Sequence, residues 1–471
     1  MEPGVSLRPY QIADLAFHIA NPKSLNLSEP STGKTPTLCA LTQYIWQEHA
    51  TKAAWAQPKS LMKKNRDELL RFTDFAPEEV VIVDGTPKQV VEQCKNPDAK
   101  VFVMGFDRYS QIHELLPTRA LIADEIHKGW GGDKSKRTLG FYEANRKNHW
   151  FIGMTGTLVN GRLDSAYPAI HAIEPRYYPS YESFIWYHAV KDLDNKIIGW
   201  KNTHKLSKIL GRHGIRHTFE EVYGKQAKVI ITEPVHLSER HRALYDKFEA
   251  DAILELDKFF IDGTEPGVGF IRARQIMEHP NQFPDLTNPG HWTDILSDEI
   301  PGKEERLELH LTDHVRTGKP LVVFSSMVPQ QERILKMMRS MGIKAELLNG
   351  RVPAKKRAEI DVSFREGELQ MLVCSPEVAD VGFNWQFWGT EEVDHVIFMT
   401  LNFMDTTFLQ AFRRFIRGLR KKALLITIME YQNCPVEQRI FEIVRRKSVL
   451  GNQVDSSRPI FDLSINEKEA A

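Results

Sequence analysis

Three short groups of residues have the types and spacing that phosphate chemistry needs. Ser31-Thr32-Gly33-Lys34-Thr35 follows an apolar-flanked turn and precedes Leu38-Cys39-Ala40-Leu41, a plausible helix. Backbone N–H groups at such a helix start hold anionic oxygens, a lysine neutralises the outer phosphates, and a hydroxyl binds magnesium. Lys34 and Thr35 can supply the last two. Ser28 stands where the usual loop pattern begins with glycine, and an ordinary polar turn containing Gly-Lys-Thr is the alternative on these residues alone.

Asp124-Glu125 comes directly after the apolar Ala120-Leu121-Ile122-Ala123. A strand ending there delivers both carboxylates to the edge at which α/β sheets meet their ligands. One acid can hold hydrated magnesium while the next orients or deprotonates water. An isolated Asp-Glu pair is usually a solvated loop. The preceding strand, the Gly-Lys-Thr loop upstream and Ile126-His127 after it favour the chemical reading. The third group is Gln410-Ala411-Phe412-Arg413-Arg414-Phe415-Ile416-Arg417. Phe412, Phe415, Ile416 and Leu419 fall at i, i+3, i+4 and i+7, which predicts a helix over 408–420 with Arg413, Arg414, Arg417 and Arg420 largely on other faces. A guanidinium there can stabilise charge on a transferring phosphoryl group. A solvated basic helix has the same composition.

These groups need a scaffold, and the apolar pattern supplies one. Short apolar runs at 80–83, 101–104, 120–123 and 151–154 read as buried parallel strands, and 59–72 reads as a helix turning Leu61, Leu69, Leu70 and Phe72 inward. The pattern returns at 321–324, 345–348, 371–374, 396–399 and 423–428. Alternating strand and helix predicts an open α/β sheet in each part. Between them, from about 175 to 300, the rhythm is lost, which predicts an inserted helical region and hinge. The expected domains are 1–175, 176–300 and 301–471, with a frayed tail at 467–471.

At 471 residues the chain exceeds one ordinary core, since domains run to roughly 150 residues. Its 62 basic and 62 acidic residues balance, so any surface for a polyanion must be local. Cys39, Cys94, Cys374 and Cys434 are far apart without zinc-ligand spacing, which points to a reduced compartment and no structural metal. Met1-Glu2-Pro3-Gly4 begins no export signal, and no apolar run approaches the roughly 18 residues of a membrane span. A cytoplasmic protein is expected.

In order along the chain these residues resemble superfamily 2 helicases and translocases, most closely the Swi/Snf-like branch that includes phage-encoded members. Leu7-Arg8-Pro9-Tyr10-Gln11 resembles the adenine-reading segment, 29–35 motif I, Gln57-Pro58-Lys59-Ser60-Leu61 motif Ia, Asp124-Glu125-Ile126-His127 the Asp-Glu-x-His box, and Thr155-Gly156-Thr157 motif III. Val322-Val323-Phe324-Ser325 resembles motif IV, Asn349-Gly350-Arg351 the segment after it, 375–384 motif V through Ala379, Gly382 and Asn384, and 410–417 motif VI. Arg274-Gln275-Ile276-Met277-Glu278-His279-Pro280 echoes a Swi/Snf-type segment. Departures are Ser28 and Ser31 in the loop, Asp380 and Val381 in motif V, and Arg413 in motif VI.

The resemblance implies an α/β fold of two RecA-like lobes with parallel sheets and an inserted helical region, using ATP and Mg2+. It implies that Arg8, Gln11, Ser31, Thr32, Gly33, Lys34, Thr35 and Gly382 bind nucleotide. Thr35 and Asp124 would hold the metal, and Glu125, Asp124, Lys34, Gln410, Arg414 and Arg417 would serve catalysis. His127 would relay nucleotide state to motif III; a satisfied core histidine is the alternative. Candidates for a nucleic-acid track are Lys59, Arg108, Lys134, Lys136, Arg137 and Thr155 in the first lobe and Arg351 and Ser375 in the second. Trp130, within Gly129-Trp130-Gly131-Gly132, could stack on a base or anchor a loop. The aromatic run 177–187 is expected to pack an insert, with a DNA wedge as the second reading. The expected activity is a DNA-stimulated ATPase that moves along DNA, single-stranded, duplex or branched, and remodels or unwinds it, with RNA the lesser candidate. The phage-like resemblance suggests replication, recombination or branch migration. The alternatives are a duplex translocase without strand separation, or a nucleic-acid-binding scaffold with impaired ATPase.

Overall fold

The computed structural model describes residues 6–130, 134–159, 161–224, 228–256, 259–262, 266–280, 283–284, 292–293, 296, 298–379, 383–402 and 404–456. These fall into two compact units: the residues up to 224 together with 448–456, and residues 228–447. Gly131, Gly132, Asp380, Val381, Gly382, most of 281–295 and the tail lie outside the described residues.

In unit 1, β1 (Lys23–Asn26), β2 (Ala53–Gln57), β3 (Val80–Ile82), β4 (Val101–Gly105), β5 (Ala120–Asp124), β6 (Trp150–Met154) and β7 (Gly214–Ile215) form one sheet in the order β3-β4-β2-β5-β6-β1-β7. Every neighbouring pair is parallel. β2, β4, β5 and β6 are buried along their whole length, which is why the last three read as unbroken apolar runs. β1 escaped that pattern because Ser24 and Asn26 are buried polar residues, and β2 because it is mostly alanine. Alternate residues face opposite sides. Val101, Val103 and Ile122 join Leu38, Leu41 and Ile45 of helix α2 (Lys34–His49) and Leu69 of α3 (Met62–Phe72). Phe102, Met104 and Leu121 join a second core with Phe151, Ile170 and Phe184. Each such side chain contributes roughly 1.5–3 kcal/mol by burial, so both sheet faces are closed.

The helix expected over 59–72 is present as a 3-10 turn, Lys59–Leu61, running into α3; Leu61 and Leu69 are buried while Leu70 and Phe72 are half-buried. The aromatic run enters the core through Tyr178 and Phe184. It continues through the helix Tyr181–His188 into an antiparallel hairpin, Ala189–Lys191 with Ile197–Trp200. Helix Thr203–His213 then leads to β7.

Unit 2 is a six-stranded parallel sheet in the order Lys228–Val235, Leu424–Tyr431, His395–Phe398, Leu321–Phe324, Met371–Cys374, Ala345–Leu348. Five of these strands match the apolar runs to within a few residues. Lys228–Val235 is an edge strand with Val229 and Ile231 exposed, and its short apolar run Val229-Ile230-Ile231 was overlooked because charged and polar residues flank it. The helix predicted over 408–420 is corrected: it spans Asp405–Phe412, gives way to a 3-10 turn at Arg413–Phe415, and leaves Leu419 exposed. The backbone groups a longer helix would need are taken by the neighbouring segment. Trp385 N–H donates to Arg414 O at 2.9 Å, and Arg417 N–H donates to Gln386 Oε1 at 2.8 Å.

All four cysteines are buried, and none is in a disulfide. Among the described residues no group of His, Cys, Asp or Glu could hold a metal ion by itself, and no helix is long and apolar enough to cross a membrane.

Candidate nucleotide site and its surroundings

Because β1, β5 and β6 are parallel neighbours in unit 1, the segments that follow them emerge at one sheet edge. These are the loop 27–33, Asp124-Glu125 and Thr155-Gly156-Thr157. Thr155 N–H donates to Asn26 O at 3.0 Å, and a Cβ on Gly156 would lie 2.7 Å from Pro30, so the third segment presses directly on the loop.

The loop turns through Ser31 (φ +69°) and Gly33 (φ +80°), and α2 starts at Lys34. Gly33 has both reasons for its identity, since a Cβ there would stand 2.6 Å from Gln11 Nε2. Lys34 Nζ donates to Ser28 O at 2.6 Å and Glu29 O at 2.9 Å, so its ammonium lies within the concave side of the loop. Thr32 is buried with its hydroxyl on Glu29 O, and Thr35 is half-buried in the first turn of α2.

Asp124 ends β5 and is nearly buried. Asn65 on α3 donates to Asp124 Oδ2 and to Gln57 Oε1, each at 2.8 Å. Burial pushes the Asp124 carboxyl up to about 6 and Glu125 beside it adds to the rise, while the Asn65 hydrogen bond and the Lys64 and Lys34 ammoniums pull it back. Glu125 has a left-handed backbone (φ +50°), a conformation that costs a non-glycine residue about 1–2 kcal/mol. Its Oε2 lies 3.4 Å from His127 Nδ1, which is also 2.8 Å from Thr155 Oγ1. His127 therefore joins the acidic pair to the segment after β6.

Helix α1 (Pro9–Ala20) closes another side of the loop. Gln11 Nε2 donates to Gly33 O and Tyr10 Oη to Thr32 O, at 2.8 and 2.6 Å. Arg8 N–H donates to Gln11 Oε1 at 2.8 Å, leaving the second amide hydrogen of Gln11 to donate elsewhere. The Arg8 guanidinium sits 4.9 Å over the ring of Tyr223, beside a cavity of about 220 Å³ that Gln11 and Pro36 also line.

Sequence reasoning missed the segment 214–223 altogether. Beyond β7 it is zipped to the loop: Leu27 N–H donates to Ile215 O at 2.8 Å and Glu29 N–H to His217 O at 2.9 Å. His217 N–H donates to Ser28 Oγ at 3.0 Å and Phe219 N–H to Glu29 Oε2 at 2.8 Å. Ser28, the departure from glycine, thus has a structural task. Arg216 donates to Leu27 O at 2.9 Å and pairs with Asp455, and His217 Nε2 lies 2.7 Å from Asp14 Oδ1 on α1. Polar residues without periodicity gave no signal for this.

In unit 2, Gln410 and Arg414 are buried, and Arg417 is half-buried with a guanidinium N–H on Phe383 O at 2.8 Å. Gly382 lies outside the described residues. The candidate track residues differ in surroundings. Lys59, Lys134 and Lys136 are exposed in unit 1 and Arg351 in unit 2. Arg137 is held by Asp107 and by Lys128 O, Arg108 donates to Gly85 O at 3.1 Å, and Ser375 Oγ donates to Glu377. Thr155, expected on the track, is instead fully buried with its hydroxyl on His127 and Thr157 N–H. Trp130 is half-buried, its ring 5.3 Å from Phe141 and 6.1 Å from Tyr142, so it anchors its loop.

Known proteins share this fold. Residues 302–418 match the helicase conserved C-terminal domain. An uncharacterised ATP-dependent helicase of Mycoplasma genitalium is 22% identical over 339 residues, covering 69% of this chain and 30% of that protein. The chain thus spans about a third of the length of the curated relative it matches. The crystal structure of the Pyrococcus furiosus Hef helicase domain aligns over 93% of this chain and 98% of that one, at 15% identity and a TM-score of 0.55. The Sulfolobus solfataricus SWI2/SNF2 ATPase core in complex with dsDNA aligns over 99% of each chain at 17% identity, with a TM-score of 0.43. The chain has the fold of a helicase domain, built on two RecA-like α/β units, and its residues 302–418 are similar to the helicase conserved C-terminal domain.

Proposed function

We propose that this protein is an ATP-dependent helicase or translocase of superfamily 2 that moves along DNA. One observation carries the reading. Lys34 sits inside a strand-to-helix loop whose far side is Gln11, and the same sheet edge carries a buried, Asn65-held Asp124 followed by Glu125. That is the donor and acceptor set a magnesium-bound nucleoside triphosphate requires.

Within this reading Lys34 exchanges the carbonyl oxygens of Ser28 and Glu29 for phosphate oxygens, joined by the backbone N–H groups at 31–35. Thr35 and Asp124 would hold magnesium, which would neutralise charge on the phosphates. Gln11 donates its remaining amide hydrogen to the base, and Arg8 and Tyr223 flank it. Bound ATP supplies the phosphoryl transfer whose free energy drives movement. Glu125 orients the attacking water, and His127 reports its position to Thr155. Arg414 and Arg417, with Gln410, are the residues that the motif series offers for the transferred group, where an arginine contributes about 10³–10⁵ in rate. Gly382 completes the nucleotide contacts. Lys59, Arg108, Lys134, Lys136, Arg137, Arg351 and Ser375 grip the strand backbone without reading sequence. The Swi/Snf-like, phage-type assignment and work on branched DNA in replication or recombination rest on the motif series.

ATP hydrolysis measured in parallel with single-stranded, duplex, forked and four-way DNA, and with RNA, tests the proposal. Hydrolysis stimulated by DNA and abolished by Lys34→Ala and Glu125→Gln is expected. Hydrolysis unchanged by Lys34→Ala refutes it, and consumption at the same background level in Glu125→Gln marks a scaffold. Strand release compared with triplex displacement separates unwinding from translocation alone.

A further inference from the structure

Unit 1 has a second concave site that the nucleotide chemistry does not use. It is a cavity of about 1050 Å³ between the end of the Asp-Glu-Ile-His segment, helix Tyr181–His188 and the hairpin that follows it. His127 lines it on one side, and Tyr181 and Trp186 supply aromatic surface. Of its acidic groups, Asp164 is closed off by Arg162, at 2.7 and 3.0 Å, and by the Tyr181 hydroxyl at 2.6 Å. Glu182 remains, and Lys134, Lys191 and Lys201 belong to the same lining. One carboxylate against three ammonium groups leaves a site suited to an anion with flat faces.

Trp186 is the clearest sign of an external ligand. It is 80% exposed on a helix whose Phe184, Ile185 and His188 are buried, and the hairpin beside it also exposes Leu193 and Ile198. A large aromatic left in water on an otherwise well-packed helix marks a contact surface. The mount is firm. His188 Nε2 lies 2.6 Å from Tyr178 Oη and its Nδ1 3.0 Å from Lys201 O, while Lys201 N–H donates to His188 O at 2.8 Å. Asp192 Oδ1 accepts from the backbone N–H groups of Asp194 and Lys196 and so fixes the hairpin turn.

We propose that this pocket takes an unpaired stretch of nucleic-acid strand, stacking a base on Trp186 and holding its phosphates at Lys134, Lys191 and Lys201. Paired bases hide their faces inside a duplex; only an unpaired base can stack on a side chain. Lysine ammonium groups match the phosphates between such bases. Because His127 lines the pocket and also touches Thr155 and approaches Glu125, a strand seated here presses on the residue that links the acidic pair to the segment after β6. The inference rests on the nucleic-acid-motor reading and adds to it the place where separated strand is held.

The test uses the full chain and two fluorescein-labelled probes, oligothymidine of about 20 nucleotides and a blunt duplex of equal length, followed by anisotropy across a salt series. Trp186→Ala should weaken single-strand binding by about five- to 150-fold, the range that stacking one base spans, and Trp186→Phe should restore most of it. Duplex affinity should change less than twofold. Lys191→Ala/Lys201→Ala should lower the slope of log affinity against log salt by about 1.4 for the single strand, about 0.7 for each phosphate that is no longer neutralised. Exposure of all three side chains predicts unchanged melting, and the double variant stands as a second probe if Trp186→Ala folds poorly. Suppose the wild-type chain hydrolyses ATP in a Lys34-dependent manner while all these variants bind the single strand as it does. The pocket proposal is then overturned with the motor reading intact, and the surface belongs to a protein partner. A wild-type chain that neither hydrolyses ATP nor binds either probe overturns both.

Discussion

Arg216→Ala tests how the phosphate loop is held in shape. The Arg216 guanidinium donates to Leu27 O at 2.9 Å, at the root of the loop, and pairs with Asp455 from a distant part of the chain. Losing a hydrogen bond from a charged donor costs about 1.5–3 kcal/mol. The ion pair is about four-fifths shielded on both partners, with side chains 23% and 17% exposed, so it lies between a surface pair of about 0–1 kcal/mol and a buried one of about 3–5. Together these give about 3 kcal/mol, or a fall of about 6–12 °C in the melting temperature of a unit this size. Asp455→Asn removes only the ion pair and should cost about 1 kcal/mol, and the double variant should be less destabilised than the sum of the two, because Arg216→Ala alone leaves the carboxylate without its cation. Scanning calorimetry with and without ATP identifies the transition of unit 1, and fluorescent-nucleotide titration should show weaker binding as the loop loses its support. An Arg216→Ala protein melting within a degree of wild type, or strictly additive variants, would refute the claim that 214–219 holds the loop.

Asn65→Ala should leave Gln57 and Asp124 without their shared donor, destabilise unit 1 by about 1–3 kcal/mol, and raise the magnesium concentration needed for half-maximal ATP hydrolysis; a magnesium titration checks this. Lys303 and Glu437 form a fully buried pair in unit 2, so Lys303→Met should cost about 3–5 kcal/mol in urea unfolding, and Lys303→Met/Glu437→Gln should recover a large part. Burial, then Glu437, pushes the Glu430 carboxyl from 4.5 up to about 7, so the folded state binds that proton more tightly than the unfolded chain. The stabilisation is complete below about pH 4.5 and lost as pH rises through 7; Glu430→Gln should flatten the pH dependence of melting between pH 5 and 8 and stabilise unit 2 at pH 8 by about 1–2 kcal/mol.

Sequence alone determined those parts of this protein whose physics is local or periodic. Strands buried on both faces must be apolar throughout, so Val101–Gly105, Ala120–Asp124 and Leu321–Phe324 announced themselves, and the left-handed turn before α2 required Gly33 next to Lys34. The acidic pair was legible because a carboxylate at the end of an apolar strand has one natural place, the ligand edge of the sheet. Tertiary structure decided what depends on partners distant in sequence. Ser28 serves His217 and Arg216 serves Leu27 and Asp455, pairings that no spacing rule encodes. The predicted helix over 408–420 ended early because Trp385 and Gln386 captured its backbone groups, and Thr155 was buried by its bond to His127. Hydrogen bonds of this kind act over less than one side-chain length in space while spanning tens to hundreds of residues along the chain, so only folding brings their two ends together.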